Sequence, residues 1–169
     1  MEFLESNLLS FILFLPVVVA TIVALLPSNE KTLIRWVAFT GSLLTFVLAL
    51  ILWANFESNR PGFQFEELNT WYSAIHSSYH IGVDGISLSM VLLTTLLTPL
   101  VILASFKIED RVKAYMALFL LLETGMLGVF VSLDLLLFFV FWEIGLVPMY
   151  FLINQWGSEK GERELWGGM

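Results

Sequence analysis

Residues 135 to 154 read LLLFFVFWEIGLVPMYFLIN. Eight apolar residues, Leu135 to Trp142, lead to a single acid, Glu143, and then the apolar run resumes. A helix needs about 20 apolar residues to cross the hydrocarbon of a bilayer, and this stretch supplies them. An ionisable group at the centre of such a helix costs at least about 2.5 kcal/mol. The fold and the function both turn on whether the rest of the chain belongs in a membrane, and on what pairs with that acid.

The composition answers the first question. Of 169 residues, 58% are hydrophobic and 14% are charged, against about 25% charged in a soluble domain. The mean hydropathy of +0.85 agrees. The sequence contains no cysteine, which excludes disulfides, thiolate zinc sites and Cys-ligated iron–sulfur clusters on this chain. It contains no GxGxxG and no GxxxxGK[ST], so no recognisable nucleotide-binding loop is present. A net charge of -7 argues against a nucleic-acid partner. The start, MEFLESNLLSFILFLP, is acidic before its apolar run. A secretory signal has a positive leading region, so this segment reads as a retained membrane helix.

Five stretches qualify as spans: about 8–26, 34–53, 86–105, 114–132 and 135–153. Helices satisfy every backbone group within lipid, and the alternation of a membrane β-barrel is missing from these runs. The predicted fold class is all-α transmembrane: residues 1–169 form a single membrane domain with one long loop at 54–85. Seven of the eight Lys and Arg fall on one side of this topology: Lys31, Arg35, Lys107, Arg111, Lys113, Lys160 and Arg163. Arg60 alone falls on the other. Basic loops stay in the cytoplasm, which puts the N-terminus outside, the end of the chain inside, and the 54–85 loop outside.

That loop contains WYSAIHSSYHIGVDG. Trp71, Tyr72 and Tyr79 suit an interfacial position. Asp84-Gly85 is a turn signal, and Asp84 is placed to cap the helix beginning near Ile86. His76 and His80 have the i, i+4 spacing of a metal pair on a helix. No third ligand accompanies them, so the reading as two polar loop residues is preferred.

Two acids fall inside spans, Glu123 and Glu143. The fourth and fifth helices are joined by a very short outer turn around Leu133-Asp134, which makes them antiparallel neighbours. Glu123 lies ten residues before Leu133 and Glu143 ten after it. At 1.5 Å per residue each carboxyl is about 15 Å below the turn, near the midplane and at matching depth. No basic residue of the chain is available at that depth. Either the acids are protonated or their positive partner lies outside this chain, and both outcomes suit a group that gains and loses a proton. Near Glu143, Pro148 has no N–H, which frees the carbonyl of Ile144, and Gly145 permits close approach of a helix or water. Pro16 and Pro99 sit in spans without acids. For Glu123 a bland alternative is stronger: Thr124, Gly125 and Gly128 form a small-residue face, and the acid is then part of a packing seam.

YHIGVDGISLSM, residues 79–90, and ETGMLGVFVSLDLLLFFVFWEIGLVPMYFLINQWG, residues 123–157, together resemble the NuoM-type subunit of respiratory complex I. That subunit is the counterpart of mitochondrial NADH dehydrogenase subunit 4. It belongs to an antiporter-like family shared with Mrp-type cation/proton antiporters and membrane-bound hydrogenases. The F-W-E-x-x-L-V-P-M-Y-F-L-I string is the specific part; the first two helices match only in general character. The resemblance implies that Glu143 is a proton-channel residue whose Lys partner lies on a later, broken helix. Glu123 sits where the family often has a further membrane acid. Family members are far longer, so the chain reads as the N-terminal portion, without the family's C-terminal remainder.

The resemblance further implies a proton-translocating subunit of NADH–quinone oxidoreductase in the cell or inner membrane. It would have no redox site and no cofactor of its own, flavin and iron–sulfur clusters lying on other subunits. Its partners would be other membrane-arm subunits, including antiporter-like ones, and the lipid bilayer. The alternatives are an Mrp-type antiporter or hydrogenase subunit and, from another class, a structural membrane subunit whose acids only lock helices together.

Overall fold

The computed structural model describes residues 7–72 and 77–157. Among them, five helices are long and apolar enough to cross a membrane: α1 (Leu8–Leu25), α2 (Lys31–Ala54), α3 (Gly85–Ala104), α4 (Val112–Val131) and α5 (Leu135–Trp156). Local sequence marks the end of α1 and the start of α3. Leu26 precedes Pro27 and turns extended, with ψ of 149°. Asp84 caps α3 by accepting from the N–H of Ile86 and Ser87, and Ser87 Oγ accepts from the Asp84 N–H in return, closing a capping box. Those bonds hold the half-buried Asp84 carboxyl below its ordinary range, the Ser87 N–H first among them.

The long connection between α2 and α3 is not a plain loop. It folds into an antiparallel hairpin, β1 (Gln64–Tyr72) and β2 (Ser77–Val83), with Asn69 opposite Tyr79 and Glu67 opposite Ile81. The cause is legible in β2. Tyr79, Ile81 and Val83 alternate with His80 and Gly82, the two-residue period of a strand with one covered face. Ile81 and Val83 are fully buried, packed with Leu8, Leu9, Ile12, Leu88, Leu127 and Val131 at the ends of the helices. The hairpin therefore closes one end of the bundle.

Two fastenings hold it there. Ser10 of α1 donates its N–H to Glu67 Oε1 at 3.0 Å and its hydroxyl to Glu67 Oε2. The Tyr79 hydroxyl lies 2.6 Å from the same serine oxygen. Burial first, and the nearby Glu67 charge, push the Tyr79 hydroxyl up to about 12 against the effect of its hydrogen bond with Ser10, so it remains a neutral donor to the Ser10 oxygen. On the other side, Leu133 donates to the His80 carbonyl at 2.8 Å. Asp134 uses one oxygen to cap α5, accepting from Leu136 and Leu137, and the other to accept from the Ser78 N–H at 3.1 Å.

α4 is the central helix: it packs against α1, α2, α3 and α5, whereas α5 packs among the helices chiefly on α4. Two apolar clusters fill the interior. One lies at the hairpin end, and the other, built on Val23, Ile34, Ala38, Ile102, Met116 and Leu120, at the opposite end. Between them lies a polar layer: Ser42 and Thr45 on α2, Thr94, Thr95 and Thr98 on α3, and Glu123 and Thr124 on α4, all buried. The outer surfaces carry Leu, Ile, Val and Phe side chains, as lipid contact requires. Of the described cations, Lys31, Arg35, Lys107, Arg111 and Lys113 gather at the end away from the hairpin, where Glu109 bridges Lys31 at 3.0 Å and Arg35 at 2.8 Å. Arg60 lies at the hairpin end. Lys160 and Arg163 lie outside the described residues.

Candidate functional site

α4 and α5 meet through glycine. A Cβ on Gly125 would stand 2.5 Å from the Gly145 Cα, and one on Gly128 would enter the Phe141 ring at 2.1 Å. Those two pairs fix both the face and the register of the contact. Each acid precedes a contacting glycine by two residues, Glu123 before Gly125 and Glu143 before Gly145. At 100° per residue, both acids are turned about 200° from the seam. They therefore face away from one another, with the two backbones between them.

The consequences differ for the two acids. Glu123 points from α4 into the bundle and is fully buried. Glu143 points from α5 outward and is exposed. It stands in an open groove lined by Leu118 and Leu121 of α4 and by Ile144, Val147, Pro148 and Phe151 of α5. Counting ten residues either way from Leu133 predicts carboxyls at matching depth. The register instead puts Glu143 level with Leu127, and Glu123 level with Leu146. Glu143 is thus about one helical turn, roughly 5 Å, nearer the hairpin. The turn between the helices is centred past Asp134, beyond Leu133, because Asp134 is spent as the cap of α5.

The surroundings of Glu123 are polar, but no Lys, Arg or His is buried with it among the described residues. Neither carboxyl oxygen has a hydrogen-bond partner among the described residues. Thr98 of α3 stands beside the carboxyl, yet its hydroxyl donates to the Thr94 carbonyl at 2.9 Å. Pro99 follows Thr98 directly. In sequence Pro99 is a proline in a span without an acid; in space its turn lies against Glu123. The signal that would have found it is the run of hydroxyls Thr94, Thr95 and Thr98 on one α3 face, at i, i+1 and i+4 spacing.

Outside the bundle, His80 lies on β2, so the helical i, i+4 spacing with His76 does not apply to it. Its Nε2 lies 2.9 Å from Glu66 Oε2. His76 lies outside the described residues, as do the side chains of Trp71 and Tyr72. Tyr79 is occupied by Ser10 and stacks on Phe14 at 6.3 Å between ring centroids.

The fold and sequence have relatives. NADH-quinone oxidoreductase subunit M of Rhodobacter capsulatus is 45% identical over 160 residues, covering 92% of this chain and 31% of that protein. That coverage includes Glu143. NADH-ubiquinone oxidoreductase chain 4 of Marchantia polymorpha is 42% identical over 156 residues, covering 92% of this chain and 31% of the relative. Among solved structures, a chain of respiratory complex I from Thermus thermophilus with bound NADH superimposes with a TM-score of 0.74 at 29% identity, covering 94% of this chain and 31% of its own length. The chain thus spans about a third of the length of the relatives it matches. The model of the NADH-ubiquinone oxidoreductase chain 4 amino terminus matches residues 8–140, from the first turn of α1 into α5. By that match the chain belongs to the NADH-ubiquinone oxidoreductase chain 4 family, in its amino-terminal region.

Proposed function

We propose that this chain is the amino-terminal part of a proton-translocating membrane-arm subunit of NADH–quinone oxidoreductase, with Glu143 and Glu123 as its proton-carrying groups. The observation that carries the reading is the placement of Glu143. A carboxyl on the outward, apolar face of a helix that packs chiefly on one neighbour has no role in holding the five helices together. Its cost is offset only when another membrane element supplies a charge, a proton or water. The Ile144 carbonyl, freed by Pro148, offers an acceptor one residue away. Glu123, inside the bundle, is the second station.

On this reading the redox chemistry belongs to other subunits, which hold the flavin and iron–sulfur clusters, and this chain carries no cofactor. Its partners are other membrane-arm subunits, antiporter-like ones among them, and the lipid of the cell or inner membrane. The likeness to NADH-quinone and NADH-ubiquinone oxidoreductase subunits favours complex I over an Mrp-type antiporter or a hydrogenase. The clustering of Lys31, Arg35, Lys107, Arg111 and Lys113 supports an orientation with the hairpin outside.

The test is Glu143→Gln in the assembled complex. Gln keeps the size and can still hydrogen-bond, but it cannot release a proton. If the acid only locks helices, Gln serves nearly as well, since interhelical hydrogen bonds in membranes contribute about 0.6 kcal/mol. The expected result is normal complex content with proton pumping abolished, and partial pumping in Glu143→Asp. Full pumping by Glu143→Gln in a fully assembled complex would remove the proposal.

A further inference from the structure

Glu123 is buried with no hydrogen-bond partner among the described residues, beside a hydroxyl that is already committed elsewhere. Thr98, itself 2% exposed, has one proton to donate and gives it to the Thr94 carbonyl. The turn that bears it is weak. Pro99 has no N–H, so the Thr95 carbonyl receives no helical bond, and the Thr95 hydroxyl bonds back to the Val91 carbonyl at 2.8 Å. The faces that α1, α2, α3 and α5 bury include no second titratable group among the described residues. Thr98 is the α3 hydroxyl that stands beside the Glu123 carboxyl.

We infer that Thr98 is a positioning residue that couples the protonation of Glu123 to the proline-weakened turn of α3. With Glu123 protonated, its O–H donates to Thr98 Oγ1, and the Thr98 proton stays on the Thr94 carbonyl. Ionised, Glu123 only accepts. The Thr98 hydroxyl then leaves the Thr94 carbonyl and donates to the carboxylate, a change between the two side-chain rotamers that threonine populates in helices. One proton on Glu123 thus exchanges one hydrogen bond at the turn that already lacks another. Two proline-weakened turns emerge, one for each acid: Pro148 within the helix of Glu143, and Pro99 on the helix facing Glu123. The effect on pumping rests on Glu123 being a proton-carrying group; the hydroxyl contact does not.

The experiment compares Thr98→Val and Thr98→Ser in the assembled complex. The Glu123 carboxyl band is identified in infrared difference spectra by its loss in Glu123→Gln, and pumping per NADH oxidised is recorded against pH. Val keeps the shape without the hydroxyl, and Ser restores the hydroxyl. Where Val impairs assembly, Thr98→Ala takes its place. The expected result is a displaced Glu123 band and a shifted pH profile in Thr98→Val, with pumping reduced roughly threefold, the ratio that an average interhelical bond in membranes represents. Thr98→Ser should recover both. A Glu123 band unmoved in Thr98→Val, or Ser behaving as Val does in both readouts, overturns the inference. A displaced band together with normal pumping by Glu123→Gln supports the contact and overturns instead the relay role of Glu123.

Discussion

Replacing Gly125 by alanine should separate α4 from α5, whereas the same change at Gly145 should not. The added Cβ at Gly125 would lie 2.5 Å from the Gly145 Cα and 2.6 Å from its nitrogen. Those are backbone atoms, which no rotamer change can remove. Carbon atoms in contact sit at about 3.5–4.0 Å, so the helices must part by roughly 1–1.5 Å. A Cβ on Gly145 meets the Gly125 Cα at 3.7 Å, an ordinary contact. Overpacking of this kind costs about 1–3 kcal/mol. The displacement also carries Glu143 away from whatever meets it, and a misplacement of about 1 Å at a working group can cost roughly a hundredfold in rate. The assay is thermal stability and proton pumping of the assembled complex carrying each variant. Gly125→Ala is expected to lose both stability and pumping, with Gly145→Ala close to the parent. Equal behaviour of the two variants would refute the seam and, with it, the opposed orientation of the acids.

Three further outcomes follow from the ends of the bundle. Asp134→Ala removes the acceptor for two N–H groups of α5 and for Ser78, and should cost about 1–2 kcal/mol, with faster amide hydrogen exchange across residues 77–83; Asp134→Asn, which still accepts, should retain most of the protection, and an unchanged exchange rate in the Ala variant would count against the clasp. At the opposite end, hydrogen bonds from Arg35 and then Lys31 hold the exposed Glu109 carboxyl below its usual range. Its contribution is therefore present above the unfolded carboxylate value of about 4.3 and is lost as pH falls through the lowered one; the stability difference between parent and Glu109→Gln should exist at neutral pH, shrink with added salt and vanish in acid, and a difference that persists in acid would contradict it. Residues 1–169 contain no cysteine, so Ser58→Cys and Asp110→Cys each introduce a single thiol into this stretch, read against the labelling of the parent. An impermeant reagent applied from outside should label Ser58→Cys alone, and the reverse pattern would invert the orientation.

The five helices were legible because length and hydropathy alone decide them, and Asp84 announced its cap by standing directly before a glycine and an apolar run. The hairpin was hidden by its context. Tyr79, Ile81 and Val83 alternate plainly enough, but β1 carries Glu66 and Glu67 and a bulge between Gln64 and Glu67, which blurs its period. Glu143 was legible as an anomaly in an apolar run, and the absence of a base at its depth followed from counting cations. Which way each acid points was not legible, because that depends on which face of α4 meets α5, and two glycines decide it. The pairing of Glu123 with the Pro99 turn is a contact between separate helices, beyond the reach of spacing within either one.

The hairpin fastening also sets an order of events during synthesis. Its anchors, Ser10 and Asp134, are 124 residues apart in the chain. At about 5–20 residues per second, roughly 6–25 seconds pass between the two leaving the ribosome. During that interval the hairpin can engage α1 through Glu67, while Ile81 and Val83 wait for the end of α4 to cover them. The second fastening becomes available only when α5 begins, since Asp134 is its cap. Insertion of α4 and α5 and closure of the hairpin over the bundle end should therefore be a single step, and a ribosome stalled before Asp134 should leave β2 open to protease until translation resumes.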